Sequence, residues 1–117
     1  MTSIAPWISV TNATQAVAYC KAAFGAVEVE RVDGDAGEVM VALLSIDGAE
    51  LWLQADPDAR PGASVRMILS VDDPDAVFAR AIAAGGTEIA EIHEGHGWRI
   101  GRIADPSGHH WEIGRRL

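Results

Sequence analysis

The stretch that decides the fold is ADPSGHHWEIG, which runs from Ala104 to Gly114. Its first part, Asp105-Pro106-Ser107-Gly108, has the composition of a tight turn. Its second part predicts a strand, because apolar and polar side chains alternate along it. We expect the apolar pair to face a core and the polar pair to face a cavity, a partner or water. The apolar pair is Trp111 and Ile113, and the polar pair is His110 and Glu112.

The elements before this stretch form a pattern that occurs twice. The first copy is a strand over 4–10, a helix from Asn12 to Gly25, and strands over 27–32, 38–46 and 49–54. The second copy is a strand over 65–71, a helix that Asp73 caps and Gly85-Gly86 ends, and strands over 87–93, 98–104 and 109–114. The order strand, helix, strand, strand, strand is therefore predicted twice in succession.

Matching residues set the offset between the two copies. Ser9-Val10 returns as Ser70-Val71, at an offset of 61 residues. Gly48 returns as Gly108, at an offset of 60 residues. The segment between the copies has two prolines and no periodicity, which is typical of a linker. We predict one domain made of module one (1–56), a linker (57–63) and module two (64–117).

Composition and charge narrow the function classes. The 117 residues carry a formal net charge of −8, with one lysine and no basic run, which disfavours nucleic acid as a partner. The one cysteine, Cys20, excludes an internal disulfide, and its helical spacing among apolar residues predicts that it is buried. No apolar run approaches the roughly 18 residues of a membrane span, and no signal pattern opens the chain, so we expect a cytoplasmic protein.

This paired pattern resembles the vicinal oxygen chelate superfamily, which includes glyoxalase I, bleomycin-resistance proteins and extradiol dioxygenases. Within it the chain is similar to the small PhnB-like members. The resemblance implies an α+β fold in which two tandem βαβββ modules form a half-open curved barrel around a cleft, in a homodimer. The residues that carry it are Ile8-Ser9-Val10, Ala22-Ala23-Phe24-Gly25-Ala26, Leu69-Ser70-Val71-Asp72-Asp73 and the stretch from Asp105 to Ile113.

Metal-using members of this superfamily hold their ion with four ligands, and the resemblance places two of these on Arg66 and Glu112. The offsets of 61 and 60 residues between the copies then place the other two on Ala5 and Trp52. Alanine and tryptophan offer no lone pair to a divalent ion, and arginine stays protonated and repels it. We therefore expect no cofactor and disfavour a divalent metal, and Glu112 would be a ligand of any metal that did bind.

Arg66 and Glu112 are instead predicted to form a cross-strand ion pair. The guanidinium group is then suited to orient a carboxylate, phenolate or carbonyl oxygen of a ligand. The alternative is that the two residues only neutralise each other on the sheet.

Three tryptophans add an aromatic signal. Trp7 and Trp52 point to the same expected cleft face by strand parity, and Trp98 begins a strand near its rim. Aromatic walls suit flat, aromatic or cationic guests. The alternatives are packing in a dimer or filling of the cleft by these side chains.

The histidines give a weaker signal. His93 and His96 have the spacing H-x-x-H, but they lie in a glycine-rich connection that we interpret as a flexible lid rather than a metal site. His110 shares a face with Glu112 and is a candidate metal ligand or general base, or else a surface histidine paired with a carboxylate.

Three functional hypotheses follow. The first is a metal-independent protein that binds an aromatic or oxygen-rich small molecule. The second is a metal-dependent lyase or dioxygenase of the glyoxalase type, which uses Glu112 with relocated ligands. The third is a duplicated domain whose cleft is filled by its own side chains. No catalytic residue is assigned, and the predicted ligand-binding residues are Trp7, Trp52, Arg66, Ile68, His110 and Glu112.

Overall fold

Two four-stranded sheets, each with its own helix, account for the regular structure of the chain. The computed structural model describes all residues, Met1–Leu117, and they divide into two compact units, Met1–Arg60 and Pro61–Leu117. No helix combines the length and the apolar composition that crossing a membrane requires.

The first unit has the predicted order of elements. They are β1 (Trp7–Val10), α1 (Ala13–Phe24), β2 (Val27–Asp33), β3 (Val39–Ile46) and β4 (Ala49–Ala55). The strand order in the sheet is β1-β4-β3-β2, with β1 parallel to β4 and the other neighbours antiparallel.

Helix α1 begins and ends where the sequence predicts. The Asn12 side chain accepts a hydrogen bond from the Gln15 N–H at 3.0 Å, and Gly25 follows the last turn with φ 68°. That left-handed conformation favours glycine, because it has no Cβ. The helix buries one side against its sheet, and Cys20 lies on that side, as predicted.

The second unit repeats the first. Its elements are β5 (Arg66–Ser70), α2 (Pro74–Ala83), β6 (Thr87–Gly95), β7 (Trp98–Ala104) and β8 (His110–Arg116). The sheet order is β5-β8-β7-β6, which is the same connectivity as in the first unit. The α+β class and the duplicated βαβββ arrangement are thus confirmed.

Strand register confirms the offsets as well. Trp7 pairs with Trp52 across β1 and β4, and Ile68 pairs with Glu112 across β5 and β8. Ile68 follows Trp7 by 61 residues and Glu112 follows Trp52 by 60. Trp52 and Glu112 therefore hold equivalent positions in the two sheets.

The core of the second unit lies between its sheet and α2. Trp111 and Ile113 of β8 are both on this side, as predicted, and His110 and Glu112 are on the other. The buried apolar side chains of this core are Phe78, Ala81, Ile103, Trp111 and Ile113.

The connection after β6 corrects the predicted lid. Strand β6 continues to Gly95, and only His96 and Gly97 separate it from β7. Both residues have positive φ, 52° and 80°, as the central positions of a type I′ hairpin turn require. A two-residue turn that joins paired strands has no length to act as a lid, so that prediction is wrong.

The first strand is shorter than predicted. It begins at Trp7 rather than at residue 4, and Ile4 is exposed. Pro6 just before it has no N–H to give to a sheet ladder, although its carbonyl accepts a hydrogen bond from the Trp52 N–H at 2.9 Å.

Close packing at one glycine of β7 gives a stability prediction. A Cβ at Gly101 would lie 2.8 Å from Phe78 Cε2 and 3.1 Å from the Ala90 carbonyl oxygen. We expect Gly101→Ala to lower the free energy of unfolding by about 1–3 kcal/mol, measured by urea denaturation. The control is Gly95→Ala, where nothing lies within 4 Å of the added atom. Equal effects of the two substitutions would contradict the packing argument.

Candidate functional site

The polar side chains of the second sheet gather on the side away from α2, which we call the distal face. Strands β5, β8 and β7 lie side by side, so that alternate residues of all three project from this side. The distal face carries Arg66, Ile68, Ile100, Arg102, His110 and Glu112.

Glu112 lies between two arginines on this face. Arg66 Nε is 3.7 Å from Glu112 Oε2, and Arg102 Nη2 is 3.5 Å from Glu112 Oε1. The predicted ion pair with Arg66 is therefore formed, and a second one accompanies it. Both distances exceed the 2.7–2.9 Å that is typical of a strong charge-assisted hydrogen bond. The Glu112 carboxylate thus contacts both guanidinium groups, and each of these groups keeps N–H donors that Glu112 does not use.

Arg102 was not among the predicted site residues, although the sequence contained a signal for it. Strands β7 and β8 form a hairpin, in which Ala104 pairs with His110 and Arg102 pairs with Glu112. Counting outward from the turn over 105–109 would have placed Arg102 opposite Glu112 and on the same side of the sheet.

His110 carries an unsatisfied polar atom. It pairs in register with Arg66 on one side and with Ala104 on the other. Its Nδ1 is buried and has no hydrogen-bond partner. Leaving such an atom unpaired costs about 1–3 kcal/mol, which makes it a candidate for a ligand contact.

A concavity of about 400 Å³ opens beside Glu112. Its volume is in the range of small-molecule sites. Apolar side chains from β6 and β7 form much of its wall, and the Arg102–Glu112 pair lies at one side. The lining residues are Ile89, Ala90, His93, Ile100, Gly101, Arg102 and Glu112. His93 therefore borders the concavity, whereas His96 lies in the hairpin turn.

The first unit places two tryptophans on the equivalent side of its own sheet. Trp7 and Trp52 are stacked, with ring centroids 5.7 Å apart and an angle of 27° between the planes. The Trp7 Nε1–H donates to Gln54 Oε1 at 2.9 Å. Trp7 is 52% exposed, so one aromatic surface of the pair is accessible. The shared side of these two residues was predicted from strand parity.

Trp98 lies at the start of β7, as predicted. The Arg116 guanidinium carbon is 5.1 Å from the centroid of its ring, within the range of a cation–π contact. One side of this indole is thus already covered by a side chain of its own sheet.

Arg99 lies on β7, on the helix side of the same sheet, and its guanidinium group makes more hydrogen bonds than those of Arg66 and Arg102. Its Nη2 and Nε donate to the two oxygens of Asp75 at 2.7 and 2.8 Å, and its Nη1 donates to Glu94 at 3.3 Å. The Asp75 contact raises the pKa of Arg99, and the Arg99 hydrogen bonds lower the pKa of the Asp75 carboxyl. In the first unit, Lys21 lowers the pKa of Glu28 in the same way, at 2.8 Å.

Asp105 holds the turn that sets the β7–β8 register. Its Oδ1 accepts hydrogen bonds from the N–H groups of Ser107 and His109, both at 3.0 Å. Its Oδ2 accepts the Trp111 Nε1–H at 2.9 Å. One carboxylate therefore joins the turn to the buried side of β8, and so fixes which residues of β8 reach the distal face.

The residues present do not fit a metal ion bound in the manner that the resemblance implies. Of Ala5, Trp52, Arg66 and Glu112, only Glu112 has a donor for a cation, and two arginines lie against it. No group of three or more histidine, cysteine, aspartate or glutamate side chains is placed to hold a metal ion.

Comparison with known proteins identifies the family. Residues 7–114 match the model of the glyoxalase-like domain. The chain belongs to this family. Two mycobacterial members are similar along almost its whole length: the uncharacterized proteins Mb0911c of Mycobacterium bovis and Rv0887c of Mycobacterium tuberculosis. Each is 35% identical to this chain, and the match covers 97% of this chain and 82% or 74% of the relative.

Solved structures show the same glyoxalase-like fold. TioX from Micromonospora sp. ML1 is 25% identical, with a TM-score of 0.79 over 99% of this chain and 100% of that one. A glyoxalase/bleomycin resistance protein/dioxygenase family enzyme from Burkholderia phytofirmans has a TM-score of 0.82 at 19% identity, over 99% and 100%. The fosfomycin resistance protein FosX from Listeria monocytogenes has a TM-score of 0.82 at 14% identity, over 99% and 94%. The last two establish the fold alone.

The role of Asp105 can be tested by its removal. We expect Asp105→Ala to lower the free energy of unfolding by about 2 kcal/mol, because the buried Trp111 N–H loses its acceptor. Urea denaturation measures this value. The control is Asp58→Ala in the exposed linker, which should change stability by less than about 0.5 kcal/mol. A loss at Asp105 no larger than this control would contradict the assignment.

The Arg99–Asp75 pair predicts an acid dependence of stability. Because Arg99 lowers the pKa of Asp75 in the folded protein, the pair stabilises the fold above the ordinary aspartate pKa of about 3.9. This contribution is lost as the pH falls through the lowered folded-state pKa. The Tm difference between the wild type and Arg99→Gln should therefore shrink as the pH falls from about 7 to about 2. A constant difference across this range would contradict the prediction.

Proposed function

We propose that this glyoxalase-like protein binds a small organic molecule without a metal ion, on the distal face of its second sheet. The observation that carries the proposal is the convergence of Arg66 and Arg102 on Glu112. At one of the positions where the resemblance places metal ligands, this chain has the fixed positive charge of Arg66, and Arg102 adds a second guanidinium group beside Glu112. Such groups hold an oxygen atom of a ligand by charge-assisted hydrogen bonds, as a metal ion holds it by coordination.

Apolar groups of the second unit next to these charges support a ligand with an apolar body. Ile68 is 60% exposed beside Glu112, and Ile89 and Ile100 line the neighbouring concavity. The first unit has a separate flat surface of its own, the Trp7–Trp52 stack, which is suited to contact a ring. His110 Nδ1 adds an unpaired polar atom near Arg66.

The structural neighbours are compatible with this proposal. They include a fosfomycin resistance protein and an enzyme of the glyoxalase/bleomycin resistance protein/dioxygenase family. The same fold thus occurs in proteins of more than one function, so the function of this chain has to be argued from its site residues.

A metal-dependent lyase or dioxygenase that uses Glu112 is the weaker candidate. The oxygens of Glu112 already face two arginines, which would repel a divalent cation. The donors near Glu112 also fall short of the three protein ligands that a catalytic zinc site requires.

Elemental analysis and a ligand panel test the proposal together. We expect protein purified without chelators to contain no stoichiometric divalent metal. We expect its amide NMR signals to shift with some members of a panel of aromatic and oxygen-rich small molecules. Arg66→Ala should weaken the binding of those molecules at least about tenfold, which corresponds to the loss of one charge-assisted contact.

The matched control is Arg60→Ala, which removes an exposed arginine of the linker. It should leave the same affinities unchanged. Stoichiometric metal that is lost in Glu112→Gln would contradict metal independence. Affinities that do not change in Arg66→Ala across the whole panel would contradict binding at this face.

A further inference from the structure

We infer that the ligand is an organic carboxylate, and that Glu112 is an internal carboxylate that this ligand displaces from Arg102 and Arg66. The inference rests on the proposed function and narrows its ligand to one chemical class. Three features of the second unit support it: a local excess of positive charge, two unsaturated guanidinium groups, and a cavity that reaches one of them.

The charge around Glu112 is opposite to the charge of the chain as a whole. The protein has a formal net charge of −8. Within 4 Å of Glu112, however, two guanidinium groups meet one carboxylate. The cluster thus has one positive charge in excess, and an anion is the guest that balances it.

The two arginines of the cluster have unused donors. Arg102 makes one contact, at 3.5 Å, and Arg66 makes one, at 3.7 Å. Arg99 of the same sheet instead makes two short hydrogen bonds to both oxygens of one carboxylate. A guanidinium group prefers that paired geometry. Arg66 and Arg102 therefore have the donors for a second carboxylate, and Glu112 shows that a carboxylate reaches both of them.

The concavity beside the cluster gives a ligand access. Arg102 and Glu112 line it at one side, and Ile89 and Ile100 line it elsewhere. A ligand with a carboxylate at one end and an apolar or aromatic body at the other matches this distribution. The carboxylate meets Arg102, and the body lies against the isoleucines.

Substitution of Glu112 distinguishes a competitor from a ligand contact. In Glu112→Gln the side chain keeps its size but loses its negative charge, so it competes less well for the arginines. We therefore expect an anionic ligand to bind more tightly to this variant. If Glu112 instead contacted the ligand as an acceptor, the same substitution would weaken binding.

The experiment uses sodium benzoate and its neutral isostere benzamide as probes, with the full-length protein at constant ionic strength. Amide and arginine Nε–H NMR signals report binding in the wild type, Glu112→Gln, Arg102→Gln and Arg99→Gln. We expect benzoate to bind the wild type at least about tenfold more tightly than benzamide does, and Glu112→Gln to tighten benzoate binding several-fold. Arg102→Gln should weaken benzoate binding about tenfold, whereas the matched control Arg99→Gln should leave it within about twofold.

Two further measurements keep the test decisive. If the NMR spectrum of Arg102→Gln shows that this variant is unfolded, the benzoate titration is done on Arg66→Gln instead, with the same expected loss of affinity. Benzoate binding, but not benzamide binding, should weaken as the salt concentration rises, because salt screens the attraction between exposed charges.

The possible failures are separable. Equal affinities for benzoate and benzamide, or weaker benzoate binding in Glu112→Gln, would overturn the carboxylate inference and leave the proposed binding function intact. The absence of binding by both probes and by every member of the wider panel would overturn both.

Discussion

The structure of the second unit depends on the hydrogen bonds of one carboxylate. Asp105 accepts two backbone N–H groups of its turn and the indole N–H of Trp111. The turn therefore has one length, and β8 has one register against β7. Because a slip of one residue exchanges the two faces of a strand, this register alone places Glu112 opposite Arg102 and buries Trp111. The candidate site is a direct consequence of the turn.

The two units are alike on the side of the sheet that faces the helix and differ on the other side, as expected of a duplicated module. Both sheets bury apolar side chains on the side that faces their helix. The distal sides are not bound by this requirement, so the same positions carry different chemistry. Trp7 and Trp52 in the first sheet correspond to Ile68 and Glu112 in the second. Packing against the helix is common to both units, while these distal positions are aromatic in the first unit and are an isoleucine and a glutamate in the second.

Local periodicity predicted the helix caps and the repeat, and the resemblance pointed to the Arg66–Glu112 pair, but the contact that depends on the pairing of β7 with β8 was missed. Helix α1 was predicted with its caps because Asn12 and Gly25 have strong positional preferences. The repeat was predicted because its offsets are visible along the chain. Arg102 was missed because a lone arginine has no periodic signal until β7 is aligned with β8. The lid was a wrong prediction because glycine indicates a tight hairpin turn as readily as a flexible loop.

The resemblance places a metal ligand at position 66, where this chain has arginine, and an arginine and a metal ion act differently on an oxygen ligand. A divalent ion exchanges its ligands, accepts several oxygens at once and lowers the pKa of a bound water molecule. A guanidinium group remains charged, accepts no lone pair and holds oxygens only through its fixed N–H groups. Arg66 and Arg102 are therefore suited to recognise and orient an anion rather than to activate it. The proposed binding function follows from this difference, since a ligand carboxylate would take the place of the Glu112 carboxylate at the two guanidinium groups.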